Sequence, residues 1–185
     1  MADVLSAEER SRLMSRIRGR DTGPEMIVRR GLHALGLRFR LQDRKLPGRP
    51  DLVLPKYRTA VFVHGCFWHA HGCTLSKVPA TRVEFWKRKL DANVARDRAA
   101  ARALRDAGWR VLLVWECAFR GPGRLGEGEA LRDAAAFIRS TDSLQYSVEG
   151  RQTGENARRT PIEADALRTG KPRVTVAGTK GKEHA

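Results

Sequence analysis

Eleven consecutive residues, Val63-His64-Gly65-Cys66-Phe67-Trp68-His69-Ala70-His71-Gly72-Cys73, hold two of the chain's three cysteines and three of its five histidines. Thiolates and imidazoles gathered this densely are the soft ligands that zinc takes in fours, in a tetrahedron. Cys66, His71 and Cys73 are the first three candidates, and Cys117 would complete a Cys₃His site. Four protein ligands close such a site, which makes it structural. The competing reading is a set of unlinked thiols and imidazoles, since the spacing matches no common zinc-finger pattern.

His64 and His69 remain over if His71 binds metal. A neutral imidazole can take a proton from water near neutral pH, so either is a candidate general base. Asp51 is the candidate carboxylate, in Leu46-Pro47-Gly48-Arg49-Pro50-Asp51 at the start of an otherwise apolar run. An acid entering a core needs compensation, and Mg²⁺ supplies it; an Asp capping a backbone amide at the end of a turn is the alternative. Asp97 poses the same question on a long helical pattern, where it shares the apolar face and must meet a cation, a metal or a histidine. A hydrogen bond to His69 would satisfy it and fix the imidazole tautomer, while an arginine would make it a structural ion pair. Glu25 joins the catalytic candidates with less local support, because a capping-box role already explains it.

Phe67 and Trp68 are neighbours in what should be an exposed, metal-braced loop. Adjacent aromatics in a basic protein suit stacking on bases or wedging between them, although either ring singly suits a core as well. Trp86, Met14 and Ile17 suit the same role, each being also an ordinary residue of a helix face.

The elements that must position these groups follow from periodicity. Ser6 with Glu9 has capping-box spacing and predicts a short helix to about Arg18; Thr22 with Glu25 repeats it and opens a second helix that Gly36 stops. Leu37, Phe39 and Leu41 alternate as in a half-buried strand, and Asp51 to Leu54 and Ala60 to His64 are short apolar runs around a turn at residues 55–59. From Thr81 to Ala107 apolar residues step by three or four until Gly108, and Trp109 to Trp115 then predicts a covered central strand. A last helix lies near Glu129 to Arg139. The order describes an α/β fold, a mixed β-sheet flanked by helices.

The chain has 36 Lys and Arg against 21 Asp and Glu, a net charge of +15. Such a surplus favours a polyanion, nucleic acid above all, through long-range attraction and counterion release. No apolar stretch reaches the ~20 residues of a membrane span and the N-terminus lacks a signal-peptide core, which implies a cytoplasmic protein without disulfides. After Ser140 the composition turns to Gly, Thr, Arg and Glu without periodicity. Residues 1–140 read as one domain and 141–185 as a largely disordered tail. That tail carries 8 basic and 6 acidic residues, leaving 28 and 15, a net +13, before it.

Several blocks between Met14 and Arg120 resemble the very-short-patch repair endonucleases, bacterial enzymes that nick DNA beside a thymine mispaired with guanine. The blocks are Arg20-Asp21-Thr22, Leu46 to Asp51, His64-Gly65-Cys66-Phe67-Trp68-His69, Lys77 to Arg82 with Glu84-Phe85-Trp86, Asn93-Val94 with Arg96-Asp97-Arg98, Gly108 to Leu112, and Trp115-Glu116-Cys117. The resemblance implies a restriction-endonuclease-like fold, with Asp51 and the backbone carbonyl of Val63 on Mg²⁺. The family pattern has threonine at position 63. The resemblance further implies His69 as general base, Asp97 as its partner, His64 near the scissile phosphate, and zinc on Cys66, His71, Cys73 and Cys117. Phe67, Trp68 and Trp86 would wedge from the major groove, Met14 and Ile17 from the minor groove.

The resulting expectation is a monomeric Mg²⁺-dependent, zinc-braced endonuclease on double-stranded DNA with a T·G mismatch, handing its nick to a polymerase and ligase, in a bacterial cytoplasm at the nucleoid. Two rivals stand: a zinc-braced DNA-binding module without catalysis, which leaves Asp51, His69 and Asp97 without purpose, and a restriction-type endonuclease on undamaged duplex. Removal of residues 141–185 is expected to leave nicking mostly intact.

Overall fold

The computed structural model describes residues 20–151 together with Arg12, so the helix expected from Ser6 to Arg18, with Met14 and Ile17, lies outside the described residues, as does the chain beyond Arg151. Helix α1 spans Gly23–Ala34, and Thr22 and Glu25 form the reciprocal capping box that their spacing predicts, with Pro24 in the first turn. It buries Val28 and Leu32. Strands β1 (Arg40–Leu41), β2 (Leu52–Leu54) and β3 (Thr59–His64) make an antiparallel meander. Helix α2, Val83–Asp106, then crosses over to β4, Arg110–Trp115, which runs parallel to β3. Gly108, at φ +76°, reverses the chain between them, a conformation that costs glycine nothing. Helix α3, Glu127–Arg139, leads to β5, Gln145–Val148, parallel to β4.

The five strands stand in the order β1-β2-β3-β4-β5, a mixed sheet. Side chains alternate across it, so that Val61, Leu112 and Val114 meet Val28, Leu32 and Ile138 of α1 and α3, whereas Ala60, Phe62, Val111 and Leu113 meet Ala101 and Leu104 of α2. β4 is buried along its whole length, as its apolar run predicts. Each fully buried Leu, Ile or Val in these layers contributes roughly 1.5–3 kcal/mol of transfer free energy. Among the described residues no helix is long and apolar enough to cross a membrane.

Two expectations change. The strand read at Leu37–Leu41 is only two residues long, at the sheet edge, with Leu41 exposed and Leu37 buried in the approach to it. The boundary at residue 140 also falls too early: β5 pairs with the buried β4, and Val148 joins the core. Residues 141–151 therefore belong to the folded body, because the open edge of β4 needs a partner for its backbone groups.

Candidate active site and metal cluster

Parallel β3 and β4 end side by side, with His64 opposite Trp115 in register. Period-two alternation sends His64 and Trp115 to the α2 side of the sheet. His64 is 6% exposed and its ring lies parallel to that of His69, centroids 3.8 Å apart. Burial, with His69 nearby, pushes the His64 imidazole down to about 3, so it is neutral at physiological pH. Its Nδ1 is buried and has no hydrogen-bond partner among the described residues.

His69 reaches the middle of α2, where its Nδ1 lies 2.5 Å from Asp97 Oδ2. The stripe that carries Asp97 inward on α2 is the stripe that buries Leu90, Ala101 and Leu104. Asn93, one turn earlier, donates to the Trp68 carbonyl at 2.8 Å and so ties the His69 loop to the same helix. Asn93 belongs to one of the blocks that carry the family resemblance, but the sequence assigned it no place at the site. His64, His69 and Asp97 bring ligand-type atoms within 4.8 Å of one another. Stacked parallel imidazoles nevertheless cannot both aim in-plane lone pairs at one ion, and Asp97 already holds His69 Nδ1.

Asp51 sits just ahead of β2 and accepts the Val63 N–H on Oδ2 at 2.7 Å. Burial pushes its carboxyl up to about 6, against the Val63 hydrogen bond and with Glu25 adding to the rise. Glu25 is buried by α1, where it caps the helix and pairs with Arg29, which also meets Asp21 at 2.6 Å. A half-buried carboxylate with a second acid in electrostatic reach fits a divalent cation, the partner that would hold it ionised.

On the other side of Trp115, Cys66, His71, Cys73 and Cys117 bring their ligand atoms within 4.8 Å of one another. Three sulfurs and one imidazole nitrogen are a zinc donor set. The hydrogen bond from Cys66 draws the Cys117 thiol down to about 4 and pushes Cys66 up. Burial works against charge on His71, but bonds to Cys117, Glu149 and Cys73 outweigh it and raise the imidazole to about 10. Glu149 lies in the segment that the sequence assigned to a tail.

Phe67 meets Trp68 and Trp86 edge to face at centroid distances of 5.1 and 5.2 Å, and the two indoles lie tilted to each other at 6.2 Å, where the loop abuts the first turns of α2. Each is partly exposed, Phe85 beside them is exposed, and the Lys89 ammonium lies 5.2 Å from the Trp68 ring. Lys87, Arg88, Arg96, Arg98 and Arg102 are exposed along the same helix. A carboxylate and an imidazole base under a basic, aromatic rim are the equipment of a hydrolase for a polyanionic substrate.

Comparison with known proteins gives that class a family. The family described as "DNA mismatch endonuclease Vsr" matches residues 2–75. The chain is 53% identical over 133 residues to the DNA mismatch endonuclease Vsr of Escherichia coli, covering 72% of this chain and 85% of that protein. It is 48% identical over 125 residues to the type II nicking enzyme V.XorIIP of Xanthomonas oryzae, covering 68% and 92%. Against the type II nicking enzyme V.NmeAIP of Neisseria meningitidis it is 40% identical over 117 residues, covering 63% and 84%. The chain belongs to the Vsr family of DNA mismatch endonucleases, and is a nicking endonuclease.

Proposed function

We propose that this chain hydrolyses the phosphodiester 5′ to the thymine of a T·G mismatch, the product of 5-methylcytosine deamination, leaving a 3′ hydroxyl and a 5′ phosphate. The observation that carries this reading is the His69–Asp97 pair, at 2.5 Å, with Asp51 in electrostatic reach of His69. Asp97 accepts the Nδ1–H of His69 and thereby presents the other ring nitrogen as the base. That nitrogen takes a proton from the attacking water. His64, neutral and packed on the His69 ring, approaches the scissile phosphate without adding charge to the base. Asp51 and the Val63 carbonyl would hold Mg²⁺, which supplies charge stabilisation at the phosphate. Glu25, whose negative charge opposes that of Asp51, adds a second acid on the side from which a cation would be held.

The fold is proposed to be restriction-endonuclease-like, and the Cys66, His71, Cys73 and Cys117 group to hold a structural zinc. Purified protein is expected to contain about one equivalent of zinc by elemental analysis, and Cys117→Ser to lower its thermal midpoint; full zinc content after replacing all three cysteines would remove the site. The aromatic rim of Phe67, Trp68 and Trp86 is proposed to wedge between base pairs, with Met14 and Ile17 as the minor-groove counterpart. Trp68→Ala should then weaken binding to a T·G duplex by more than to matched duplex, because unstacking is easiest where pairing is already poor. An equal loss on both duplexes in a titration would count against the wedge.

The enzyme is proposed to act as a monomer on bacterial chromosomal DNA and to leave its nick to a polymerase and ligase. A restriction-type activity on undamaged duplex is the alternative within the same chemistry. Nicking of one duplex carrying T·G, U·G or C·G at a single position, across several flanking sequences, separates the two: mismatch repair requires a strong preference for T·G, and equal cleavage of C·G would establish the alternative.

A further inference from the structure

The metal cluster is held from a direction that none of its four ligands reveals. Glu149, immediately after β5, places Oε2 at 2.6 Å from His71 Nε2, while Nδ1 of the same ring turns into the cluster, 3.5 Å from Cys117 Sγ. The next residue donates its backbone N–H to that sulfur: Gly150 N lies 3.3 Å from Cys117 Sγ. Only glycine fits there, since a Cβ at position 150 would lie 2.3 Å from the Cys117 carbonyl oxygen. Ser147, on the strand itself, accepts from Trp115 Nε1 at 2.9 Å. The indole stacks on the His71 ring at 4.1 Å and meets the His64 ring edge-on at 5.1 Å. One short segment thus touches two cluster ligands and the ring between the cluster and the catalytic histidines.

We propose that Glu149 is a positioning residue for the metal: its carboxylate takes the Nε2–H of His71 and thereby commits Nδ1 to coordination. This rests on the reading of the Cys66, His71, Cys73 and Cys117 group as a zinc site. An imidazole has two nitrogens that compete for one proton, and a free ring distributes it between them. A carboxylate fixed at Nε2 settles the tautomer, orients the ring and makes Nδ1 a better donor; loss of such an outer partner typically costs about 10–100-fold in metal affinity. Gly150 adds a hydrogen bond to a thiolate, which spreads the charge of a three-sulfur site.

The test uses the full chain, loaded with zinc, and follows metal release to a chromogenic chelator. Glu149→Ala should release zinc at least tenfold faster than the wild type, and Glu149→Gln, whose amide oxygen can still accept from Nε2, should fall between them. Arg151→Ala removes the ion pair to Glu129, 2.7 Å away, that also anchors this segment, and should leave release at the wild-type rate. In the cobalt-substituted protein, Glu149→Ala should keep the sulfur-to-metal charge-transfer bands, because three thiolates remain, and shift the ligand-field bands. Release within twofold of wild type for Glu149→Ala, an unchanged cobalt spectrum, or an equal effect of Arg151→Ala would each overturn the assignment. Failure of the wild type itself to hold zinc would instead overturn the reading of the cluster, and this inference with it.

Discussion

Asp51→Ala should abolish nicking of a T·G duplex while leaving DNA binding intact or slightly stronger. Its carboxyl is half-buried, it accepts a hydrogen bond from the Val63 amide, and its charge is opposed by burial and by Glu25. Removal of the carboxylate takes away the divalent cation's anchor but also an anion that repels phosphates. The measurement is single-turnover nicking in saturating Mg²⁺ beside a binding titration on the same duplex. A near wild-type rate would overturn the mechanism.

The same residue carries a pH signature. A carboxyl raised from 3.8 to about 6 binds its proton more tightly in the folded chain, so its contribution to stability is complete below pH 4 and is lost as pH rises through about 6. In metal-free protein at pH 7, Asp51→Asn should therefore raise stability, by on the order of 2 kcal/mol, and by nothing below pH 4. Added Mg²⁺ should raise the thermal midpoint of the wild type above pH 6 and leave that of Asp51→Asn unmoved. At sub-saturating Mg²⁺, nicking by the wild type should fall as pH drops through about 6, because proton and cation compete for the carboxylate, and added Mg²⁺ should move that fall to lower pH.

Much of this site was legible before any fold was known, for reasons that differ by residue. Thr22 and Glu25 announce their helix by the capping-box spacing, and they form that cap. The inward turn of Asp97 follows from its place among Leu90, Ala101 and Leu104, because helical periodicity assigns a face whatever the residue. The four-ligand cluster followed from the scarcity of cysteine and histidine. Glu149 could not be found this way. Its strand, Gln145–Val148, is four residues long and lies in a polar stretch without periodicity, and the pairing that orders it comes from β4, more than thirty residues earlier. The expectation that residues 141–185 can be removed falls with it: cutting after Ser140 takes away β5, the acceptor for Trp115 and both contacts to the cluster ligands. The stacking of His64 on His69 was equally hidden, since it depends on where β3 ends relative to the loop that returns over it.

His69→Ala should lower the single-turnover rate by about 10²–10⁴, the usual range for loss of a general base, with DNA affinity little changed. Asp97→Asn should cost less than that. The amide still reaches His69 Nδ1 across the same 2.5 Å position, but it no longer stabilises the imidazolium that forms when the ring takes a proton from water. An asparagine can also offer Nδ1 a donor, which turns the ring to the wrong tautomer for part of the population. The double variant decides whether the pair acts as a unit: if Asp97 works only through His69, adding Asp97→Asn to His69→Ala should slow the reaction no further. Additive losses would give Asp97 a separate role at the phosphate. A near wild-type rate for His69→Ala would move the base elsewhere, and His64 is then the residue to replace, because its imidazole stacks on that of His69 at the end of β3.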